Sequence, residues 1–217
     1  MRTTLRLVLL GYLVITAPVA AQSEHPGGGA WRVALTVGTS TFNGAAAGAN
    51  ESGEGQVFRP YRPTMVGVGL SYGRDRGRLA LVAKYGQPGL GFRGVANQGT
   101  EDATGLLIVA ENAFHLATVT ASAGTRLVKL RGGPVLRSSI GVTLERWSAP
   151  GTPTRTLVGP EAGLGLEFAL SGSLLATMEG ELGFTAGSPF QAGDLPEGFR
   201  LRSTWRRTLQ AGVALKL

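Results

Sequence analysis

Cysteine is absent from the chain, which removes disulfide scaffolds, thiol catalysis and cysteine-based metal centres together. Histidine occurs twice, as His25 and His115, so chemistry that needs a group titrating near neutrality has few places to reside. Charged residues make up only 16% of the chain, and lysine is nearly missing from its 21 basic residues, being represented by Lys84, Lys129 and Lys216. No apolar run reaches the ~18 residues of a membrane-spanning helix. What the chain has instead is glycine, 34 residues in 217, without the three-residue period of collagen. Apolar content stays at 43%, with a mean hydropathy of +0.11, so a disordered chain is excluded as well. At ~100–200 residues per domain this is one folding unit.

Residues 1–21 have the three-part layout of a secretory signal peptide. Arg2 and Arg6 form a basic start, Leu7 to Ala17 an apolar run, and Val19-Ala20-Ala21 a small-residue cleavage site. Residues 22–30, with Gly27-Gly28-Gly29, read as a flexible lead-in, and residues 31–217 as the folded domain.

Over that domain apolar residues recur at every second position, the spacing at which strand side chains share a face. Trp31, Val33, Leu35 and Val37 oppose Arg32, Ala34, Thr36 and Gly38; Val66, Val68, Leu70 and Tyr72 oppose Gly67, Gly69, Ser71 and Gly73. The pattern returns around Leu79–Tyr85, Phe114–Val128, Leu136–Leu144, Ala162–Leu170, Leu174–Phe184 and Trp205–Leu217. That gives eight strands, an even number, as single-chain bacterial barrels require. Short turns at Asp75–Gly77, Arg131–Gly133 and Ser171–Ser173 alternate with long connections at 43–63, 87–113, 148–156 and 186–203. The expected fold is all-β: an eight-stranded antiparallel up-and-down transmembrane β-barrel.

A soluble barrel shows the same alternation with the apolar face turned inward. Three features favour the inverted arrangement. Aromatics on the apolar face sit at strand ends, Trp31, Tyr72 and Phe168 forming one girdle and Tyr85, Phe184 and Trp205 the other, as the two interfaces of a bilayer select. The polar face is rich in Gly, Ser and Thr, which leaves room for long side chains in a narrow lumen. Its charges nearly balance: Arg32, Lys84, Arg126, Arg137, Arg206 and Lys216 stand against Glu145, Glu161, Glu167, Glu179 and Glu181, a set expected to pair inside the barrel.

The signal sequence, the eight alternating strands and the last strand Trp205–Leu217 resemble the small eight-stranded outer-membrane β-barrel proteins, the OmpA/OmpX-like superfamily. The resemblance covers nearly all of residues 22–217 and is architectural, without a diagnostic motif. It implies an outer-membrane location in a diderm bacterium and insertion by the barrel-assembly machinery. Members usually end in an aromatic residue, whereas this chain ends in Leu217.

Chemistry is poorly supported. Lipid A deacylases of such barrels use His-X-Ser, and His115-Leu116-Ala117 lacks the serine; omptin-like proteases need rim aspartates that Asp75, Asp102 and Asp194 do not supply. Gly67-Val68-Gly69 and Gly163-Leu164-Gly165 lie within strands and open no helix, so they are not nucleotide loops. The pI of about 10.5 comes from scattered arginines with no basic stripe, which argues against nucleic acid. Neither a metal nor a cofactor is expected. Arg146 and Arg207 fall on the outward face near the loop ends of their strands, where they could bind lipopolysaccharide phosphates or simply snorkel.

The expected role is a non-enzymatic, monomeric outer-membrane barrel with a plugged, ion-paired lumen and interacting outer loops. Phe58-Arg59-Pro60-Tyr61-Arg62 and Ser188-Pro189-Phe190 are the aromatic-bearing loop segments. Alternatives are a narrow channel for a small solute, a lipid-modifying enzyme and a soluble periplasmic carrier.

Overall fold

The structure, a computed structural model, describes residues 29–49, 55–74, 76–93, 106–129, 133–191, 193, 195 and 197–217. The signal segment, His25 and most of the lead-in lie outside the described residues. Eleven antiparallel strands make up the described chain: β1 Ala30–Ala49, β2 Gly55–Tyr61, β3 Thr64–Gly73, β4 Gly77–Gly86, β5 Gly89–Arg93, β6 Leu106–Ala110, β7 His115–Lys129, β8 Val135–Ser148, β9 Arg155–Ala169, β10 Leu174–Thr185 and β11 Phe199–Lys216. Eight of them close a ring in the order β1-β3-β4-β7-β8-β9-β10-β11, and β11 returns to β1 from Arg32↔Lys216 to Gly48↔Phe199. Closure leaves no strand edge within the ring to pair with another chain.

Period-two alternation sorts side chains between the two faces of this wall. On the outer face Ile140 is 71% exposed and Leu164 57%, whereas on the inner face Glu145 and Arg206 are each 3% exposed. Apolar groups outside and charges inside reverse the order of a water-soluble barrel. Only a hydrocarbon surround lets Leu35, Val37, Val66, Val68, Leu81, Val142 and Val213 face outward together without a large contiguous patch meeting water.

One end of the barrel is tight. Arg74 N donates to the Gly77 carbonyl at 2.9 Å and Leu170 N to Leu174 at 2.9 Å, closing the β3–β4 and β9–β10 hairpins. The other end is more regular than the glycine- and proline-rich sequence implies. The connections expected at 43–63 and 87–113 contain strands: β1 runs on to Ala49, β2 pairs with it and with β5, and β5 pairs with β6. These three strands carry the wall on above β3, β4 and β7. Pro63 and Pro88, which lack an N–H, mark the breaks, and their carbonyls accept from Ser40 N (3.3 Å) and Phe114 N (3.0 Å). The connections expected at 148–156 and 186–203 are shorter than that, because β8 extends to Ser148, β9 begins at Arg155 and β11 begins at Phe199.

Near the top of β1 the register with β11 shifts between Gly44 and Ala46. Gly44 and Ala45 both have positive φ there, +90° and +71°, the signature of a bulge. The bulge brings Ala45 and Ala46 against Phe190, where all three are buried.

Candidate functional site

The lumen is the chemically dense part of the molecule. At the turn end, Glu167 of β9 is met by three guanidinium groups. Arg32 of β1 lies 3.2 Å from it, Arg137 of β8 donates through Nε at 2.9 Å, and Arg78 of β4 completes the cluster. Arg78 is absent from the set read from sequence, although its parity, opposite Leu79, places it inward. Lys216 lies at the turn-end rim and reaches the Gly172 carbonyl at 3.5 Å rather than a carboxylate. Arg126 stands opposite Arg137 in the β7–β8 register.

Above this cluster the inner wall is Gly, Ala, Ser and Thr, and it encloses a cavity of about 130 Å³ lined in part by Thr36, Ser71, Ser122 and Glu179. Small residues do a steric job beside it. A Cβ on Gly67 would lie 2.7 Å from Thr36 Oγ1 and 3.0 Å from Lys84 Cγ; one on Gly163 would lie 2.6 Å from Ser139 Oγ and 3.1 Å from Glu179 Oε1. These glycines are the sockets through which long charged side chains pass in an eight-stranded lumen.

A second charged layer follows toward the loop end. Lys84 pairs with Glu181, and Gln210 Nε2 donates to Glu181 (2.8 Å) and Glu179 (3.2 Å). Arg206 bridges Glu145 (2.8 Å) and Glu161, and Glu161 also accepts from Thr143 Oγ1 at 2.9 Å. Direct cross-strand hydroxyl pairs, Ser40–Thr208 (2.8 Å) and Thr120–Thr143 (2.7 Å), fill the wall between. Among the described residues these pairs are unevenly placed: three guanidinium groups meet Glu167 below, whereas Lys84 and Arg206 lie among Glu145, Glu161, Glu179 and Glu181 above.

The next inward row is apolar. Phe42, Met65, Leu116 and Trp147 are buried together, with Phe42 meeting Trp147 edge-on at 5.4 Å. Register fixes their height: Leu116 pairs with Trp147 and lies two residues beyond Thr118, which pairs with Glu145. Trp147 Nε1 donates down to Glu145 at 3.0 Å, tying the apolar row to the charged one. Reading the sequence missed this closure, and the signal available was large apolar residues at inward parity in Phe42 and Trp147.

The aromatic loop segments turn onto this closure instead of projecting from it. Phe58 packs on Phe92 and Phe199, each at 4.9 Å, and Arg59 donates to Asn43 Oδ1 at 3.3 Å. Phe190 is only 2% exposed and covers the mouth with Ala45 and Ala46.

On the outer face Trp31 and Tyr72 sit in register at 4.9 Å at the turn end, with Phe168 exposed on the same face. At the loop end Phe184 and Trp205 sit in register at 4.8 Å, and Tyr85 is exposed. Arg146 and Arg207 are outward and exposed. His115 also faces out: its Nδ1 lies 2.6 Å from the Tyr85 hydroxyl, with Gln87 alongside. Among the described residues no group of three or more His, Asp or Glu side chains is placed to hold a metal ion.

A closed ring of eight antiparallel strands, apolar and girdled by aromatics outside and charged within, is a transmembrane β-barrel of the small outer-membrane type. Solved structures share the fold. Neisserial surface protein A (NspA) is similar at a TM-score of 0.52 with 13% identity, covering 88% of this chain and 99% of that one. The outer membrane protein OprG from Pseudomonas aeruginosa is similar at 0.57 with 13% identity, covering 88% and 96%. No protein-family model and no curated protein sequence matches the chain.

Proposed function

We propose that the protein is a non-enzymatic, monomeric barrel of the outer membrane whose lumen is closed and whose role is exerted at its extracellular, long-loop end. The observation that carries this reading is the Phe42–Met65–Leu116–Trp147 row lying across the lumen above an ion-paired layer. An ion entering from outside meets first an apolar constriction and then charges already paired, each of which costs several kcal/mol to separate while buried. The purified protein in planar bilayers is therefore expected to show no stable open level. Trp147→Ala removes the largest side chain of the closure, and stepwise conductance is expected to appear in that variant. A stable open level in the unaltered protein, matching that of the variant, would retire the closed-lumen reading. A second reading, a narrow conduit, rests on the cavity of about 130 Å³ between the charged layers, and the same recording decides it.

Non-enzymatic status is supported by the surroundings of His115, whose Nδ1 is engaged by Tyr85 and Gln87 on the lipid-facing side rather than by its register partner Ser148. Comparing lipid A by mass spectrometry with and without expression tests this, and unchanged acyl content is expected.

Arg146 and Arg207 are the outward arginines suited to lipopolysaccharide phosphates, because a guanidinium offers paired donors to phosphate oxygens. Replacing both with Gln is expected to lower the lipopolysaccharide retained through detergent purification; unchanged retention would leave them as snorkelling residues. Insertion by the barrel-assembly machinery fits the C-terminal strand, where Leu209, Val213 and Leu215 of β11 share the exposed outward face with the following Leu217.

A further inference from the structure

We propose that the extracellular end of the barrel carries a binding cup for a small anion with an apolar, single-ring body, such as an aromatic carboxylate. A cavity of about 200 Å³ opens between the β8–β9 tip and the segment following β10. A dry cavity of ~150 Å³ suffices for one benzene ring, so this cup fits a ring with a short substituent.

Its floor is aromatic. Phe114 meets Trp147 at 6.3 Å and Phe190 at 5.6 Å, both edge-to-face, so the three rings form a continuous apolar base. The one polar atom of the Trp147 ring is spent below, on Glu145, and what it turns toward the cup is ring surface. An entering ring gains both area burial and the edge-to-face contacts that aromatic pairs favour. The base is sealed from the lumen by Phe42, Met65 and Leu116, which makes the cup a dead end rather than a vestibule.

Charge selection comes from Arg155, the one charged side chain among the described residues lining the cup. Its Nη1 donates to the Phe190 carbonyl, which ties the first residue of β9 to the opposite wall and holds the guanidinium at the lining of the cup. A guanidinium has five N–H donors, and a carbonyl takes one of them. A carboxylate on the ring substituent would complete the group with charge-assisted hydrogen bonds, stronger than those to a neutral hydroxyl. Gln191 Nε2 donates across the cup to the Pro153 carbonyl at 3.3 Å, so both walls are held before any ligand arrives.

The test uses the full-length mature barrel in lipid nanodiscs, with 4-fluorobenzoate as the probe and fluorine NMR as the readout. A saturable shift absent from empty nanodiscs is expected. The neutral 4-fluorobenzyl alcohol, which needs no variant, is expected to bind about tenfold more weakly, the ratio appropriate to a hydrogen bond with a charged group. Arg155→Gln is expected to weaken the benzoate by a similar factor and to leave the alcohol unchanged. Ala149→Phe fills the cup and is expected to abolish both, while heat-modifiable gel migration shows that each variant is folded. The proposal is overturned by a shift no larger than in empty nanodiscs, by equal binding of acid and alcohol, or by binding that survives Ala149→Phe in a folded barrel.

Discussion

Glu167→Gln is expected to destabilise the folded barrel by about 3–5 kcal/mol, the cost of breaking a buried ion pair by removing one partner. The carboxylate is the hub of the turn-end cluster: Arg32, Arg78 and Arg137 all converge on it from different strands. A neutral amide removes the carboxylate that these three guanidinium groups share within one narrow section of lumen. Urea unfolding in lipid vesicles, followed by heat-modifiable migration, measures the loss. A second substitution sharpens the test. Arg78→Met in the Glu167→Gln background removes one of the three cations and is expected to recover part of the loss, a coupling of the kind that residues in one network show. Additive losses would mean that the cluster is not a single electrostatic unit.

Val142→Arg is the second large effect, expected at about 2–4 kcal/mol when measured in lipid. Val142 lies at the middle of β8, in register with Ala121 of β7, which is in register with Leu81 of β4, and it is 55% exposed on the outer face. In a soluble protein an exposed valine accepts arginine within about 0.5 kcal/mol, because the guanidinium stays in water. At the centre of a bilayer the same group must be solvated through a defect or by snorkelling. The sign and size of this change therefore report the solvent outside the wall.

Much of the barrel is legible in the chain because a closed wall with two unlike solvents imposes one rule on every strand. The parity that separates Trp31 from Arg32, or Leu144 from Glu145, needs no knowledge of partners. The extension formed by β2, β5 and β6 obeys no such rule. Gly55–Tyr61 does not alternate and Gly89–Arg93 alternates over only five residues, and both become strands because β1 and its hairpin partners extend a template for them. Their glycines and prolines read locally as loop. Pairing within the lumen is illegible for a different reason: Arg32 and Glu167 are 135 positions apart, and only shear and closure decide which cation meets which carboxylate. Arg78 has the inward parity but is only the second residue of β4, next to the turn, where the alternation is just beginning. Trp147 and Phe42 escape the pattern because inward parity changes from charged to apolar at the mouth, where the lumen ends and the covering loops begin.

The measurement closest to the centre of the account is depth-dependent quenching by brominated lipids in three single-tryptophan variants, each keeping one of Trp31, Trp147 and Trp205 with the others replaced by Phe. Trp31 and Trp205 are 49% and 45% exposed on the outer face at opposite ends of the wall, whereas Trp147 is 1% exposed within the mouth. Strong quenching of Trp31 and Trp205 with little of Trp147 is the expected result. Bromines that spare the two outer tryptophans, or that quench Trp147 as efficiently as either, would contradict a barrel whose apolar face meets lipid.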